Sequence, residues 1–150
     1  MFYQTIKTPC GPLQVTASKR GICAITFVQD PVADTPCALT QQACNQLIAY
    51  FNGTLIHFDL PLDAAGTAFQ QAVWQQLTRI EYGQTASYQH IANALGKPKA
   101  VRAVGMANGR NPLTIVVPCH RIIGSNGKLT GYAGGLERKA YLLKLEGAMN

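Results

Sequence analysis

The spacing of apolar positions changes twice along the chain. Near the start, "MFYQTIKT", "GPLQVTAS" and "GICAITFV" are short runs rich in β-branched and aromatic residues, broken by Pro9-Cys10-Gly11-Pro12 and by Lys19-Arg20-Gly21. Turn residues between such runs predict an antiparallel β-meander. In "ALTQQACNQLIAYFNG" the period becomes helical: Ala43, Cys44, Leu47, Ile48 and Phe51 share a face, and Gly53 is a stop signal. The segment 54–60, "TLIHFDL", predicts one further strand, and 61–66, "PLDAAG", reads as an inter-domain linker.

Beyond that linker the pattern is mainly helical. Thr67-x-x-Gln70 has the form of a capping box, and Phe69, Ala72, Val73, Leu77 and Ile80 form a core stripe that Tyr82-Gly83 ends. Ser87 is placed to cap a short helix whose Tyr88, Ile91, Ala92 and Leu95 share a face, with Gly96 as its stop. Pro98 then stands at a first helical position, and a second helix runs to about Asn108. Two short helices joined by a Gly-containing turn outline a helix-turn-helix. The second is unusually small-sided, with Ala100, Ala103, Gly105 and Ala107, and places Lys99, Arg102 and Met106 on one side. Such a helix either approaches a partner closely or packs tightly within its own domain. "LTIVV", 113–117, predicts a buried strand, and "RIIGSNGKLTGY" a hairpin turning at Ser125-Asn126-Gly127. A basic hairpin after a helix-turn-helix is the layout of a winged helix. "GLERKAYLLKLEG" closes the pattern as an amphipathic helix, with Glu137 and Lys144 favourably placed for its dipole.

The pattern therefore predicts an α+β protein with a small domain over 1–62 and a helical domain over 63–150. Charge sharpens the division. Residues 1–61 balance three basic against three acidic side chains, whereas 62–150 hold ten basic against four acidic, so the whole net charge of +6 lies in the second part. That asymmetry fits a polyanionic partner such as nucleic acid, or ordinary surface solubility. The five cysteines, at 10, 23, 37, 44 and 119, are odd in number and contain no C-x-x-C, which argues against a disulfide framework and a zinc ribbon. With no signal-peptide pattern and no 18-residue apolar run, the expectation is a soluble protein of a reducing, cytoplasmic compartment, with no membrane partner.

The stretch "IVVPCHRIIGSNGK", 115–128, carries the candidate chemistry. A cysteine is a nucleophile only as thiolate, so a base or a positive field must assist it. His120 and Arg121 follow Cys119 directly. Adjacent strand residues point to opposite faces, so Cys119 and His120 meet only if the chain turns at Pro118, or if a water bridges them. A histidine base also needs an orienting acceptor. Glu146, in the apolar context "LLKLEG", is poorly placed for the helix dipole, which suggests a specific partner. On these residues alone an inert buried thiol remains the simpler reading.

Several separated motifs then agree in order and spacing. "PCHR", with an apolar strand before it and "NP" 7–8 residues upstream, resembles the DNA-repair alkyltransferases, the methylated-DNA–protein-cysteine methyltransferases, also called O6-alkylguanine-DNA alkyltransferases. The resemblance runs from about Phe69 to Gly147 and includes "ASYQHIANALGKPKAVRAVGMANGRNPLTIVVPCHR" and "GYAGGLERKAYLLKLEG". The first part of the chain is similar only in layout, a small sheet with a helix in an RNase H-like arrangement.

The resemblance implies a role for each matching residue. Cys119 would accept the alkyl group. His120 would take its proton through a bridging water, with Glu146 orienting the imidazole. Tyr88 would donate to the departing guanine. Asn111 would hold the backbone between the helix-turn-helix and the active-site strand. Arg102 would fill the hole left by a flipped nucleotide, and Lys99, Ala103, Gly105, Arg121 and Tyr88 would face DNA through the minor groove. Pro118, Tyr132, Ala133 and Gly134 would line the pocket; Ala133 replaces a serine of some relatives. The implied partner is double-stranded DNA containing O6-alkylguanine, with O4-alkylthymine as a further candidate. The protein would act once, as a monomer without a cofactor, and would work in the nucleus in a eukaryote. Some relatives bind zinc in the N-terminal part; Cys10 and Cys23 are present, but His57 and His90 stand in other contexts, so no metal is expected.

Overall fold

The computed structural model describes residues 1–150, and the chain divides into two compact units, Met1–Ala65 and Gly66–Asn150. The division falls three residues beyond the expected boundary because the linker is tied to the first unit. Ile22 donates its N–H to the Pro61 carbonyl, Asp63 donates to the Ile22 carbonyl, and the Asp63 carboxylate accepts from the Ser18 hydroxyl at 2.7 Å.

In the first unit the meander forms as predicted. Strands β1 (Phe2–Thr8), β2 (Gly11–Ala17) and β3 (Ile22–Phe27) pair antiparallel in sequence order. The alternation of β2 places Leu13, Val15 and Ala17 on the buried face, where helix α1 (Ala38–Phe51) packs. The buried face of α1 is Thr40, Ala43, Cys44, Leu47 and Tyr50. Ile48, expected on it, is 45% exposed, because successive helical residues lie about 100° apart around the axis and Leu47 takes the core-facing direction. Residues 54–60 do not form the expected strand. Gln46 of α1 both donates to the Asp59 carbonyl (2.9 Å) and accepts from the Asp59 N–H (3.0 Å), and Gln42 also donates to that carbonyl. Side chains thus take backbone groups that a ladder would need.

The second unit begins with α2 (Ala68–Leu77), capped as its sequence predicts: Thr67 Oγ1 accepts from the Gln70 N–H, and Gln70 Oε1 accepts from the Thr67 N–H. It ends five residues earlier than expected, at a Thr78 cap whose hydroxyl donates to the Gln75 carbonyl. Trp74, nearly buried, donates its indole N–H to the Ala107 carbonyl at 2.8 Å. This bond fixes α2 against α4 (Val101–Gly109), the second helix of the helix-turn-helix. Its first helix, α3 (Tyr88–Ala94), is capped by the Ser87 hydroxyl accepting from the His90 N–H. Gly96, at φ +70°, terminates it in a Schellman motif: Lys97 N–H bonds to the Ala92 carbonyl and Gly96 N–H to that of Asn93. Pro98 stands in the turn instead of opening α4; Gln89 donates to its carbonyl, and α4 begins three residues later.

The largest departure from the pattern is 113–117. Instead of a strand, the segment folds on itself. Val117 N–H bonds to the Leu113 carbonyl, Val116 N–H bonds to that of Thr114, and buried Ile115 sits at φ +74°. A β-branched residue in that region is strained by about 1–3 kcal/mol. The chain reverses at 124–128, with Gly127 N–H on the Gly124 carbonyl. However, β5 (Ile122–Ile123) pairs in parallel with β4 (Ala86–Ser87), not with a returning hairpin strand. Helix α5 (Leu136–Leu145) then closes the unit, with Glu137 in its first turn and Lys144 in its last. No helix is long and apolar enough to cross a membrane.

Replacing Trp74 by phenylalanine should lower unfolding free energy by about 2 kcal/mol, through the lost buried hydrogen bond and ring area. Urea unfolding should show a lower midpoint with unchanged slope; an unchanged midpoint would mean that the indole bond does not hold α4.

Candidate active site

Pro118, at φ −83° and ψ 64°, ends the irregular segment and starts a single 3₁₀ turn over Cys119–Arg121. The turn answers the problem that two adjacent residues pose. In a strand Cys119 and His120 would face opposite ways; here both are buried, at 4% and 0% exposure, within one turn of chain.

Glu146 sits at the C-terminal cap of α5 and points into this turn. Its Oε2 accepts from His120 Nε2 at 2.8 Å, and both of its oxygens are gripped by Arg121, Nε on Oε1 at 2.9 Å and Nη2 on Oε2 at 3.0 Å. Arg121 Nη1 donates further to the Ile80 carbonyl at 2.6 Å. The expectation that Arg121 faces DNA is thereby corrected: it is 7% exposed, and its guanidinium is committed to Glu146 and Ile80. Removing two charges from water costs several kcal/mol each, and the geometry that offsets this cost is the bidentate one found here.

The carboxylate also selects the imidazole tautomer. With Nε2–H donating to Glu146, Nδ1 is left as the basic nitrogen, and it is buried with no protein partner. Burial drives the His120 pKa below its ordinary value, while the Glu146 carboxylate opposes that shift. The imidazole is therefore neutral at pH 7 and able to accept a proton.

The Cys119 thiol is pushed up by burial and pulled down by the Asn111 amide, the Lys139 ammonium and the backbone at Cys119 and His120. Asn111 also ties the two ends of the segment before the cysteine: Nδ2 donates to the Val117 carbonyl at 2.8 Å, and Oδ1 accepts from the Leu113 N–H at 2.9 Å. It thus closes the 111–117 loop that delivers the cysteine. On the α4 side, Asn108 is buried and its Nδ2 lies 3.5 Å from the Cys119 carbonyl.

Lys139 is the residue that sequence reasoning missed. It is fully buried on α5, its Nζ donates to the Thr130 carbonyl at 2.6 Å, and burial lowers its pKa to about 8, against the attraction of the Cys119 thiolate. The signal was present: Lys139 shares the buried face of α5 with Leu142, Leu143 and Glu146, and a lysine on an apolar stripe needs a partner.

The other expected residues fall into two groups. Tyr88 opens α3 half-buried, its hydroxyl 3.1 Å from Thr130 Oγ1. Tyr132 lies over Gly134, where a Cβ would come within 2.7 Å of the ring, so a larger residue there would displace the tyrosine; Ala133 is exposed in the same loop, and Pro118 is buried beside Cys119. Lys99, Arg102 and Ala103 are exposed, Gly105 is half-buried, and Met106 is 61% exposed. The outer face of α4 is thus low, with one long cation standing on it. No three His, Cys, Asp or Glu side chains gather to hold a metal ion.

A helix-turn-helix joined to a buried cysteine, itself backed by a histidine and a carboxylate, defines a DNA-binding protein with a nucleophilic thiol. Comparison with known proteins supplies the family. Residues 68–148 match the family model of the 6-O-methylguanine DNA methyltransferase DNA-binding domain, and residues 1–64 match that of its ribonuclease-like domain. The chain is 46% identical to a Methanosarcina barkeri methylated-DNA–protein-cysteine methyltransferase over 153 residues, 97% of each chain. It is 47% identical to that of Mycobacterium tuberculosis over 150 residues, 96% of this chain and 91% of the relative. A solved structure of Mycobacterium tuberculosis OGT in complex with DNA superimposes with a TM-score of 0.91 at 46% identity, covering 99% of this chain and 94% of that one. The chain belongs to the 6-O-methylguanine DNA methyltransferase family. Its activity is that of a methylated-DNA–protein-cysteine methyltransferase, which repairs DNA by alkyl transfer to a cysteine.

Two outcomes follow from the Glu146 cluster. Glu146→Gln leaves the buried Arg121 charge without its counter-ion and should cost about 3–5 kcal/mol in urea unfolding; a loss under about 1 kcal/mol would show the cluster to be solvated. The His120 pKa lies lower in the folded than in the unfolded chain, so the unfolded chain takes up the proton first. Stability should be full above pH ~6.5 and fall as pH drops below it. Melting temperatures from pH 8 to pH 5 read this directly, and a flat profile would contradict it.

Proposed function

We propose that the protein removes the alkyl group of O6-alkylguanine in double-stranded DNA by one irreversible transfer to Cys119, with O4-alkylthymine as a secondary substrate. The observation that carries the reading is the burial of the nucleophile: Cys119 is 4% exposed, and the next residue, His120, is held by Glu146. A thiol so placed cannot reach a base stacked in a duplex, so the target nucleotide leaves the stack and enters the protein, at a cost of a few kcal/mol. The small-sided α4 approaches the minor groove, Arg102 occupies the space the base vacates, and the exposed Lys99 meets phosphate with little regard to sequence.

His120 Nδ1 takes the thiol proton through a bridging water, and Glu146 holds the imidazolium that forms. The Lys139 ammonium and the Asn111 amide stabilise the thiolate. Sulfur attacks the alkyl carbon in line. The S–C bond forms, the C–O6 bond breaks, and the electron pair passes to guanine, which Tyr88 protonates or hydrogen-bonds as it departs. Water does not readily cleave the resulting thioether, so each molecule acts once, as a monomer without a cofactor, in the cytoplasm or, in a eukaryote, the nucleus.

DNA containing O6-methylguanine should add one methyl mass to the Cys119 peptide and stop at one equivalent. An intact lesion, or repeated turnover, would sink the proposal. Lys139→Met should slow transfer at pH 7 about ten-fold and displace the rate–pH profile upward, because the cation that Lys139 supplies below pH about 8 is lost. An unmoved profile would show that the ammonium does not assist the thiol.

A further inference from the structure

We propose that Thr130 is a positioning residue that aims the Tyr88 hydroxyl at the departing base; the inference rests on the role assigned to Tyr88 above. Thr130 lies in the loop between β5 and α5, 42 residues after Tyr88. Its Oγ1 stands 3.1 Å from the Tyr88 hydroxyl oxygen. At the next residue, Gly131, a Cβ would lie 3.8 Å from the same hydroxyl, so the loop backbone passes beside the phenol. The Thr130 carbonyl accepts from Lys139 Nζ at 2.6 Å. One residue therefore touches the leaving-group side through its side chain and the nucleophile side through its backbone.

The direction of the hydroxyl contact carries the chemistry. A phenol has one proton and an oxygen that accepts. If Tyr88 donated to Thr130, its proton would be spent and none would face the guanine. If Thr130 donates to Tyr88, the phenol oxygen is fixed by the bond it accepts and its own O–H points away, toward the base. As guanine departs with the C–O electron pair and draws the Tyr88 proton, negative charge grows on the phenol oxygen. The Thr130 hydroxyl is already aimed at that charge, and such a preorganised donor strengthens as the charge develops. The side chain and the carbonyl of Thr130 thus serve different partners, and substitution can separate them, since valine keeps the backbone bond to Lys139 and loses only the hydroxyl.

Single-turnover transfer from duplex DNA containing O6-methylguanine tests this. Thr130→Val should slow transfer about ten-fold, the worth of one hydrogen bond to a charged group, with DNA affinity and the reaction of Cys119 with iodoacetamide within about two-fold of wild type. Thr130→Ser, which retains the donor, should restore the rate. In a Tyr88→Phe background, Thr130→Val should add nothing, because its partner is gone. Wild-type speed in the valine variant, failure of serine to rescue, or an undiminished effect in the phenylalanine background would each overturn the proposal. A wild-type protein that leaves Cys119 unmodified overturns the transfer reading and this one with it, whereas normal wild-type transfer with any of the preceding outcomes overturns this one alone.

Discussion

The buried carboxylate of Glu146 is the constraint on which the catalytic unit is organised. Three segments meet on it or on its partner: the end of α5 supplies the carboxylate, the 3₁₀ turn supplies His120 and Arg121, and the segment after α2 supplies the Ile80 carbonyl for the remaining Arg121 donor. Buried charges are tolerated only when their hydrogen-bonding capacity is filled. That requirement makes the geometry strict. The guanidinium takes both carboxylate oxygens, and one of these oxygens also takes the imidazole N–H, so the imidazole is held in one tautomer with its basic nitrogen free to work.

From that constraint the reactivity follows. Burial opposes ionisation of Cys119, so the resting thiol is protected. Its environment supplies groups that favour the thiolate, an amide donor at Asn111 and a buried ammonium at Lys139. The lysine has a low pKa for the same reason that the thiol has a high one, and the charge of each eases the ionisation of the other. A buried thiol is shielded from stray electrophiles, and the amide and the ammonium beside it favour its ionised form.

The strained loop before the cysteine belongs to the same design. Ile115 at positive φ and the two Asn111 side-chain bonds turn 113–117 away from strand geometry. A strand would have separated Cys119 from His120 across its two faces; the turn at Pro118 instead buries both within one turn of chain. The sequence does not reveal this loop, because five apolar residues in a row satisfy a buried strand and a buried irregular segment equally. The decision lies in a side chain at Asn111 competing for ladder groups. The segment 54–60 departs from strand geometry in the same way, with Gln42 and Gln46 taking the backbone of Asp59.

Local chemistry was legible wherever the determinants were neighbours in the chain. The Thr67–Gln70 box, the Ser87 cap and the Gly96 stop depend on contacts within a few residues, and the three-stranded meander on turns between consecutive runs. The motif around Cys119 and its agreement with "NP" and "GYAGG" made the family resemblance readable. What only the tertiary structure decided is which charges leave water. Arg121 and Lys139 look in sequence like members of a basic surface set. In the fold both are buried, one to hold Glu146 and the other to charge the thiol's surroundings. The physical reason is that a side chain's desolvation, and the partner that offsets it, depend on segments far away in sequence. Arg121 and Glu146 are separated by 25 residues and Arg121 and Ile80 by 41, and no local pattern records a contact of that range.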